Sequence, residues 1–353
     1  MNRRRFLAGA GSLALPAFGA HPGRAEDGFP LADMHFHQFF PGTLPVAMCP
    51  LKPLAKVMAD GNVTLLSWAL VGDQPWITRG PRGLTQKGVP EPGAAQTWFE
   101  REIGRVKAHV AEQGLKLALT PSDIDKARAG ERHVVLSVEG ATFLDDDIAH
   151  LDKAYALGVR HLQLVHYIRN VLGDFQTEAP EHNGLSERGR AVVAACNRLG
   201  ILIDLAHATA PMVEQVLALS KAPVIWSHSY ISRRGPSDWT MPMPRVRHLG
   251  LAQAKAIAAK GGVVGLWALR QDSGPTPDSY GRRLVELAGM LGEDHVAVGS
   301  DLGAVSQPAI ANYRDLRAAF ATMQRLGTAR EVLEKIAIGN YARVLKAALQ
   351  PQA

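Results

Sequence analysis

The sequence has little cysteine and no C-x-x-C motif, and this excludes two classes of protein. Its 353 residues include only Cys49 and Cys196. Two cysteines in a chain of this length indicate neither a disulfide-stapled scaffold nor a dithiol redox site. Two free thiols are the simpler interpretation, with Cys196 placed between a helix and the sheet. The apolar stretch at residues 7–18 is too short to span a bilayer, so we expect no stable membrane span.

Excess positive charge is also scarce once the first 25 residues are set aside. The whole chain has a formal charge of +6, but residues 1–25 contain Arg3, Arg4, Arg5 and Arg24 and no acid. The remainder has 35 basic and 33 acidic side chains, a formal charge of +2. A domain this close to neutrality has no electrostatic basis for binding nucleic acid.

Residues 1–25 have the pattern of an export signal. The R-R-R-F-L motif at residues 3–7 matches the twin-arginine pattern, and a weakly apolar stretch and small residues follow it. We therefore predict a twin-arginine signal peptide, a folded domain at residues 26–350, and a periplasmic or secreted protein. A disordered basic tail is the alternative.

Short apolar segments alternate with helical patterns along the rest of the chain. Eight strand–helix repeats in unbroken order predict a single (β/α)8 barrel of the TIM type, in class α/β, rather than a doubly wound sheet. Long βα loops are expected at residues 71–96, which include Trp76 and Arg79, and at the proline-rich residues 232–250. The predicted strands are residues 31–37, 63–70, 134–139, 160–166, 201–207, 223–228, 263–269 and 295–301.

Polar side chains that suit metal binding close most of these strands. His35 and His37 point the same way because side chains alternate along a strand, so together they could hold one ion. Glu139 follows an apolar strand, where a carboxylate needs nearby cations and could bridge two metals. The remaining strand-end groups are His166, His207, His228 and Asp301.

A barrel brings the carboxyl ends of its strands to one mouth, so these seven groups should meet there. A single core histidine is usually only hydrogen-bonded, but seven such groups at one end predict a metal centre. The mixture of nitrogen and oxygen ligands suits zinc best, with Mn²⁺ and Fe²⁺ as alternatives.

In this order the motifs resemble the membrane (renal) dipeptidase family of the amidohydrolase superfamily. The resemblance extends from about Asp33 to Leu345. The motifs that carry it are LSVEG at Glu139, GVRHLQLVH at His166, NRLGILIDLAH at His207, PVIWSHS at His228, SRRG at Arg234 and GNYAR at residues 339–343.

The resemblance implies two divalent metal ions, with Glu139 shared between them. The first ion would be held by His35, His37, Glu139 and Asp301, and the second by Glu139, His207 and His228. The resemblance also implies that His166 polarises the carbonyl that is cleaved. Our hypothesis of metal-assisted hydrolysis gives Asp301 the role of carrying the proton. Arg234, rather than its neighbour Arg233, would pair with the substrate carboxylate; the alternative for Arg234 is a solvated loop arginine.

The implied activity is hydrolysis of the amide bond of a dipeptide or related small amide by water held between two metals. The alternatives are another amidohydrolase (a lactonase, deacetylase or amidase) and a non-catalytic metal-binding protein. No G-x-S-x-G motif supports a serine nucleophile. The expected partner is a small-molecule substrate, and a homodimer is left open.

The chain departs from the family pattern at two motifs. The first motif is His35-x-His37, where the family has H-x-D, so a neutral ligand replaces an anion. The second is Asp301-Leu302-Gly303-Ala304, where the family commonly has D-F-D-G. We expect the first change to increase the affinity of the site for anions and the second to alter the fit of the substrate.

Overall fold

The computed structural model describes residues 28–40, 51–145 and 147–350 of the chain. The predicted signal peptide at residues 1–25 and Cys49 lie outside the described residues. Within these ranges, no helix is both long enough and apolar enough to cross a membrane.

Eight parallel strands pair in the order in which they follow one another along the chain, and this confirms the predicted TIM-type barrel. A ninth strand of the same sheet, Lys116–Leu117, pairs with the strand His133–Glu139 alone. The ring closes between the last and first strands, where the Asp301 amide donates to the His35 carbonyl at 2.9 Å and the His37 amide to the Leu302 carbonyl at 2.8 Å. The strands are β1 Leu31–Phe36, β2 Val63–Val71, β3 His133–Glu139, β4 Val159–Gln163, β5 Leu202–Asp204, β6 Ile225–Ser229, β7 Val263–Leu266 and β8 Val296–Val298.

Helices surround the strands, and each buries an apolar stripe against them. In the long helix Ala94–Glu112, the buried Phe99, Ile103 and Val106 recur at helical spacing, and the ring of Phe99 stacks on Phe143 at 4.2 Å. The other longer helices are Leu54–Gly61, Pro121–Arg128, His150–Leu157, Glu187–Leu199, Ala210–Leu219, Leu251–Ala259, Pro277–Leu291, Tyr313–Arg325 and Asn340–Ala348.

Cys196 lies on the buried face of the helix Glu187–Leu199, inside the main apolar cluster. Burial raises the pKa of this thiol to about 12. A thiol in such surroundings stays protonated at neutral pH and is a poor nucleophile. The interpretation of Cys196 as a core residue is therefore confirmed.

The two ends of the barrel differ in polarity. Residues near the starts of the strands, such as Ala32, Leu65 and Val263, form an apolar cluster with Tyr341 and Val344 of the last helix. This cluster closes the amino-terminal end of the barrel. The polar residues of the sequence motifs therefore lie at the carboxyl-terminal end, where barrel enzymes have their active sites.

Strand β1 has an irregular register that affects its two histidines. The segment from Asp33 to Phe36 pairs with the shorter segment from Leu66 to Trp68 of β2, so β1 contains a bulge around His35. A bulge changes the direction in which the following side chains point.

Several strands end earlier than the apolar pattern predicts. Strands β4, β5 and β8 end at Gln163, Asp204 and Val298, so the site residues expected at their ends lie in the loops that follow. Two of these residues, His207 and Asp301, have φ angles of 72° and 56°. Non-glycine residues rarely adopt this left-handed conformation, and such strain is concentrated at functional sites.

The two long βα loops form ordered borders of the carboxyl-terminal end. The first contains an antiparallel hairpin, Ile77–Gly80 with Gly83–Gln86. The second folds back on itself, because Ile231–Ser232 pairs in parallel with Leu249–Gly250. The loops meet where the Arg82 guanidinium donates to the Trp239 carbonyl at 3.5 Å.

Candidate metal centre

The carboxylate of Glu139 is the centre of the site. It lies at the end of β3 and is 3% exposed. Asp301 reaches the cluster through His37, whose Nε2 lies 3.2 Å from Asp301 Oδ1. The Nε2 atoms of His35, His37, His166, His207 and His228 lie 3.4, 3.5, 3.4, 3.3 and 3.6 Å from the Glu139 oxygens. The structure thus brings together all seven strand-end groups named from the sequence.

The histidines form two close pairs on either side of Glu139. The Nε2 atoms of His35 and His37 are 3.0 Å apart, and those of His207 and His228 are 3.2 Å apart. Two ring nitrogens that close require a proton or a cation between them, because their lone pairs repel each other. Each pair also forms a compact donor group with Glu139, all within 4.8 Å. The donor set therefore fits two cations that share Glu139.

Hydrogen bonds on the far side of the rings fix the direction of their lone pairs. His37 Nδ1 donates to the Ala69 carbonyl at 2.8 Å, which leaves Nε2 free as a ligand. The hydroxyl of Ser227 lies 3.3 Å from His35 Nδ1 and 2.9 Å from His228 Nδ1. Ser227 therefore orients one histidine of each pair.

The pKa values of the second pair favour neutral imidazoles. Burial and the positive charges of Arg247 and His166 hold the pKa of His207 well below its usual range, against the opposing effect of Glu139. Burial and the nearby His35 do the same for the pKa of His228. Neutral imidazole is the form that binds a metal ion, so both rings are prepared to act as ligands.

The carboxylate of Glu139 is held in its ionised form. Burial alone would raise its pKa, but the charges of His166 and His35 and the hydrogen bonds from His207 and His35 outweigh burial. The pKa of Glu139 therefore lies well below its ordinary value. Both oxygens are available as anionic ligands at neutral pH.

His166 is held by a carboxylate that sequence reasoning missed. Its Nδ1 lies 2.7 Å from Oδ1 of the fully buried Asp73, whose Oδ2 accepts the Tyr167 amide at 3.1 Å. Burial lowers the pKa of His166, but the charges of Asp73 and Glu139 outweigh it and raise that pKa above its usual value. Asp73 follows the end of β2 by two residues, so the strand-end pattern could have found it.

Arg247 is a second residue that sequence reasoning missed. Its side chain is 1% exposed, with Nη2 3.2 Å from His228 Nε2 and Nη1 donating to Gln176 Oε1 at 2.6 Å. Burial lowers the pKa of Arg247. Within the described residues its Nε has no hydrogen-bond partner. Arg234, the arginine assigned from the sequence, is exposed, and it is not among the residues that line the pocket over the cluster.

Gly303 gives a physical reason for the altered motif after β8. Its φ is +95°, and a Cβ there would lie 2.3 Å from the carbonyl oxygen of His37. A side chain at this position would collide with the backbone of a candidate ligand. His37 and Gly303, the residues at which the two motifs depart from the family pattern, therefore lie against each other.

A pocket opens over the cluster between the two long loops. Most of its lining is apolar, and the charged side chains among the lining residues are Arg79, Arg247, Glu139 and Asp301. A largely apolar cavity with a few convergent polar groups is the usual form of a site for a small molecule.

Comparison with known proteins identifies a family. The sequence profile of the family described as membrane dipeptidase (peptidase family M19) matches residues 56–352. Dipeptidase verJ of Clonostachys rogersoniana is 31% identical over 202 residues, which cover 54% of this chain and 48% of that protein. The chain therefore matches about half the length of this relative. Dipeptidase tcpJ of Claviceps purpurea (strain 20.1) is 29% identical over 314 residues, 84% of this chain and 70% of that protein.

Solved structures show the same fold. A metallopeptidase from Rhodobacter sphaeroides, crystallised with a phosphinate mimic of the dipeptide L-Ala-D-Ala, superposes with a TM-score of 0.73 at 23% identity. The match covers 91% of this chain and all of that one. At this identity the likeness supports the barrel architecture alone.

Proposed function

The chain belongs to the membrane dipeptidase family, peptidase family M19, and from that premise we propose that it hydrolyses the amide bond of a dipeptide or related small amide with two divalent metal ions. The observation that carries this proposal is the position of Glu139 between two pairs of imidazoles. A set of ligands made of imidazole nitrogens and carboxylate oxygens suits Zn²⁺.

His35, His37, Glu139 and Asp301 would hold one ion, and Glu139, His207 and His228 the other. When bound, such a pair of ions lowers the pKa of water and polarises the substrate carbonyl. The protein residues around them bind the substrate, orient it and move protons.

His166 and Asp301 have distinct proton-handling roles in this scheme. The raised pKa of His166 favours the form that carries a proton on Nε2, which can donate a hydrogen bond to the carbonyl oxygen as negative charge develops there. Asp301 has a side chain that is 12% exposed, against 4% for Glu139, so it is the more accessible of the two carboxylates that line the pocket. Asp301 takes a proton from water and passes it to the leaving amine nitrogen.

Arg247 is placed to bind the carboxylate on the leaving side of the substrate. Its Nε lacks a partner within the described residues, and its Nη2 faces His228 Nε2, an atom that would be occupied as a metal ligand. One edge of the guanidinium therefore has an N–H group without a protein partner, and two parallel N–H groups match the geometry of a carboxylate.

The direct test compares metal content with turnover. The purified full chain should contain two divalent ions per molecule and release alanine from leucyl-alanine, and a chelator should abolish both until Zn²⁺ is restored. Substituting His207→Ala should reduce the metal content to one ion or fewer and the turnover by about a thousandfold. Elemental analysis and an amino-acid release assay measure the two effects.

His295→Ala is a suitable control for this experiment. His295 lies just before β8, at the opposite end of the barrel, where its Nδ1 bonds the Gly262 carbonyl. We expect this variant to keep both metal and activity. Full activity and metal content in the His207→Ala protein would contradict the proposed function.

The substitution Asp73→Asn tests the role of His166 separately from metal binding. Loss of the Asp73 charge should lower the pKa of His166, so that its Nε2 proton is lost at lower pH. We expect kcat at neutral pH to fall roughly a hundredfold, the alkaline limb of the pH profile to move to lower pH, and the metal content to stay the same. The partly buried pair Asp272 and His248, 2.9 Å apart, provides the control Asp272→Asn. An unchanged pH profile for Asp73→Asn would argue against the role given to His166.

We also propose that the protein is exported by the twin-arginine route, on the evidence of the motif at residues 3–7. Replacing Arg3, Arg4 and Arg5 with lysine should keep the enzyme inside the cell. Fractionation of the expressing bacteria, with the native motif as the comparison, measures this.

A further inference from the structure

The pocket over the metal centre is lined both by a buried cation and by apolar side chains. Arg247 lies beside His228. A group of apolar side chains, which we call the apolar wall, also lines the pocket. The apolar wall consists of Phe39, Val71, Ile77, Leu84 and Tyr167.

The apolar wall begins directly at the histidines of the site. The ring of Phe39 stacks on that of His37, with centroids 5.5 Å apart and planes 11° apart. The ring of Tyr167 meets that of His166 edge to face at 4.5 Å. The acyl side of a substrate held at the metal centre can therefore lie against the apolar wall.

A positive charge lies next to the apolar wall. In the hairpin Arg79 pairs directly with Leu84, and Ile77 is two residues earlier on the same strand, so the three side chains share one face. All three line the pocket. Arg79 is exposed, and in the described parts of the chain no acidic side chain pairs with it.

The charges that line the pocket disfavour a further cation. Arg79 and Arg247 balance Glu139 and Asp301, so any divalent ion in the site makes the pocket positive. An ammonium group on the acyl side of the substrate would lose water against the apolar wall and would lie near Arg79. Both effects are unfavourable.

Acids that border the pocket or its hairpin already have partners. Asp73 accepts from His166 and from the Tyr167 amide. Glu178 accepts from the hydroxyl of Thr85, the hairpin residue next to Leu84, at 3.4 Å. Asp272 accepts from the Trp267 indole at 3.0 Å and from His248.

We propose that the preferred substrate is an N-acylated amino acid: a small amide with a free carboxylate on the leaving side and an uncharged, apolar acyl group. This inference rests on the proposed function and narrows it. The C–N bond of the amide breaks, a water oxygen bonds to the acyl carbon, and a proton from that water goes to the amine nitrogen. The products are an apolar carboxylic acid and a free amino acid.

Two substrates of equal shape test the proposal on the zinc-loaded full chain. Leucyl-alanine and N-(4-methylpentanoyl)alanine differ only in the amino group of the first residue. At pH 7 we expect kcat/KM to be roughly tenfold higher for the second, because the ammonium group is repelled. The difference should narrow as the pH passes about 8, where a terminal amine loses its charge.

The outcomes separate this inference from the proposed function. If leucyl-alanine is preferred at pH 7, the proposed amide hydrolase function still holds. The inference about the acyl group is then overturned, because the apolar wall accepts an ammonium group. If neither compound is cleaved, the proposed function and the inference both fail. Calorimetric titration with the product acids, leucine and 4-methylpentanoate, supplies a readout without turnover, and 4-methylpentanoate should bind more tightly.

The residue assignment is tested by reversing one charge. Arg79→Glu should reduce the preference for the acylated substrate by roughly fivefold, because a repelling charge becomes an attracting one. Arg82→Glu is the matched control: Arg82 is exposed in the turn of the same hairpin, and it is not among the residues that line this pocket. The Arg82→Glu variant should prefer the acylated substrate to the same extent as the native chain. An unaltered preference in Arg79→Glu would overturn the role given to Arg79.

Discussion

Replacing Glu139 with glutamine is expected to remove both metal ions and to reduce amide hydrolysis by about a thousandfold or more. Glu139 is the one acidic residue that belongs to both donor groups found among the described residues. A glutamine presents a single neutral oxygen in place of two anionic ones, so both histidine pairs lose the carboxylate that they share. Elemental analysis of the purified protein and an amide hydrolysis assay measure the two losses.

The chain contains a matched control for this substitution. Glu102 is also buried, at 2% exposure, and its carboxylate pairs with Arg101 at 2.7 Å and Arg105 at 3.0 Å on one helix. Glu102→Gln should lose the charge of those two ion pairs and keep both metal and turnover. Thermal unfolding of the two variants separates loss of the site from loss of the fold. A Glu139→Gln protein with two bound ions and native activity would contradict the shared-ligand arrangement.

The barrel was predictable from the sequence because buried parallel strands read as continuous apolar runs. The same property misplaced the ends of several strands. After β4 the chain continues with Leu164 and Val165, and after β5 with Leu205 and Ala206, all of them buried. The apolar pattern therefore continues beyond the last residue of the hydrogen-bonded ladder. Burial and strand pairing are different properties, and the apolar pattern predicts only burial.

The candidate ligands were predictable for a related reason. Each of them lies at or just after the end of a barrel strand, and the closed sheet brings those positions to one mouth whatever the loops do. The spacing of His35 and His37 survives even the bulge in β1. Ligands that the sheet positions can be predicted without knowing how the loops fold.

The position of Arg247 depends on loop conformation. Arg247 reaches His228 because the chain after β6 makes a long excursion and returns, where Leu249–Gly250 pairs with Ile231–Ser232. No local pattern encodes that return, so the resemblance points instead to Arg234, which is nearer to His228 in the sequence. The apolar wall also depends on a fold within a loop, since its hairpin spans residues 77–86.

Replacing Arg247 with alanine is expected to reduce kcat/KM for leucyl-alanine by about a hundredfold or more, mainly through KM, because a buried partner of the substrate carboxylate is lost. An analogue that ends in a carboxamide should be a poor substrate of the native enzyme and should lose little more in the variant, because it never forms the ion pair. Arg245→Ala is the control, since Arg245 is exposed in the same turn, two residues away. Steady-state kinetics give kcat/KM for each of the two substrates in the native enzyme and in the Arg247→Ala variant.

Measuring Arg234→Ala in parallel compares the two assignments of the carboxylate-binding arginine. A large loss of kcat/KM in Arg234→Ala, with Arg247→Ala near native, would assign carboxylate binding to Arg234. A loss confined to Arg247→Ala and to the free carboxylate would show that the folded-back loop, rather than its exposed arginines, defines the leaving side of the substrate.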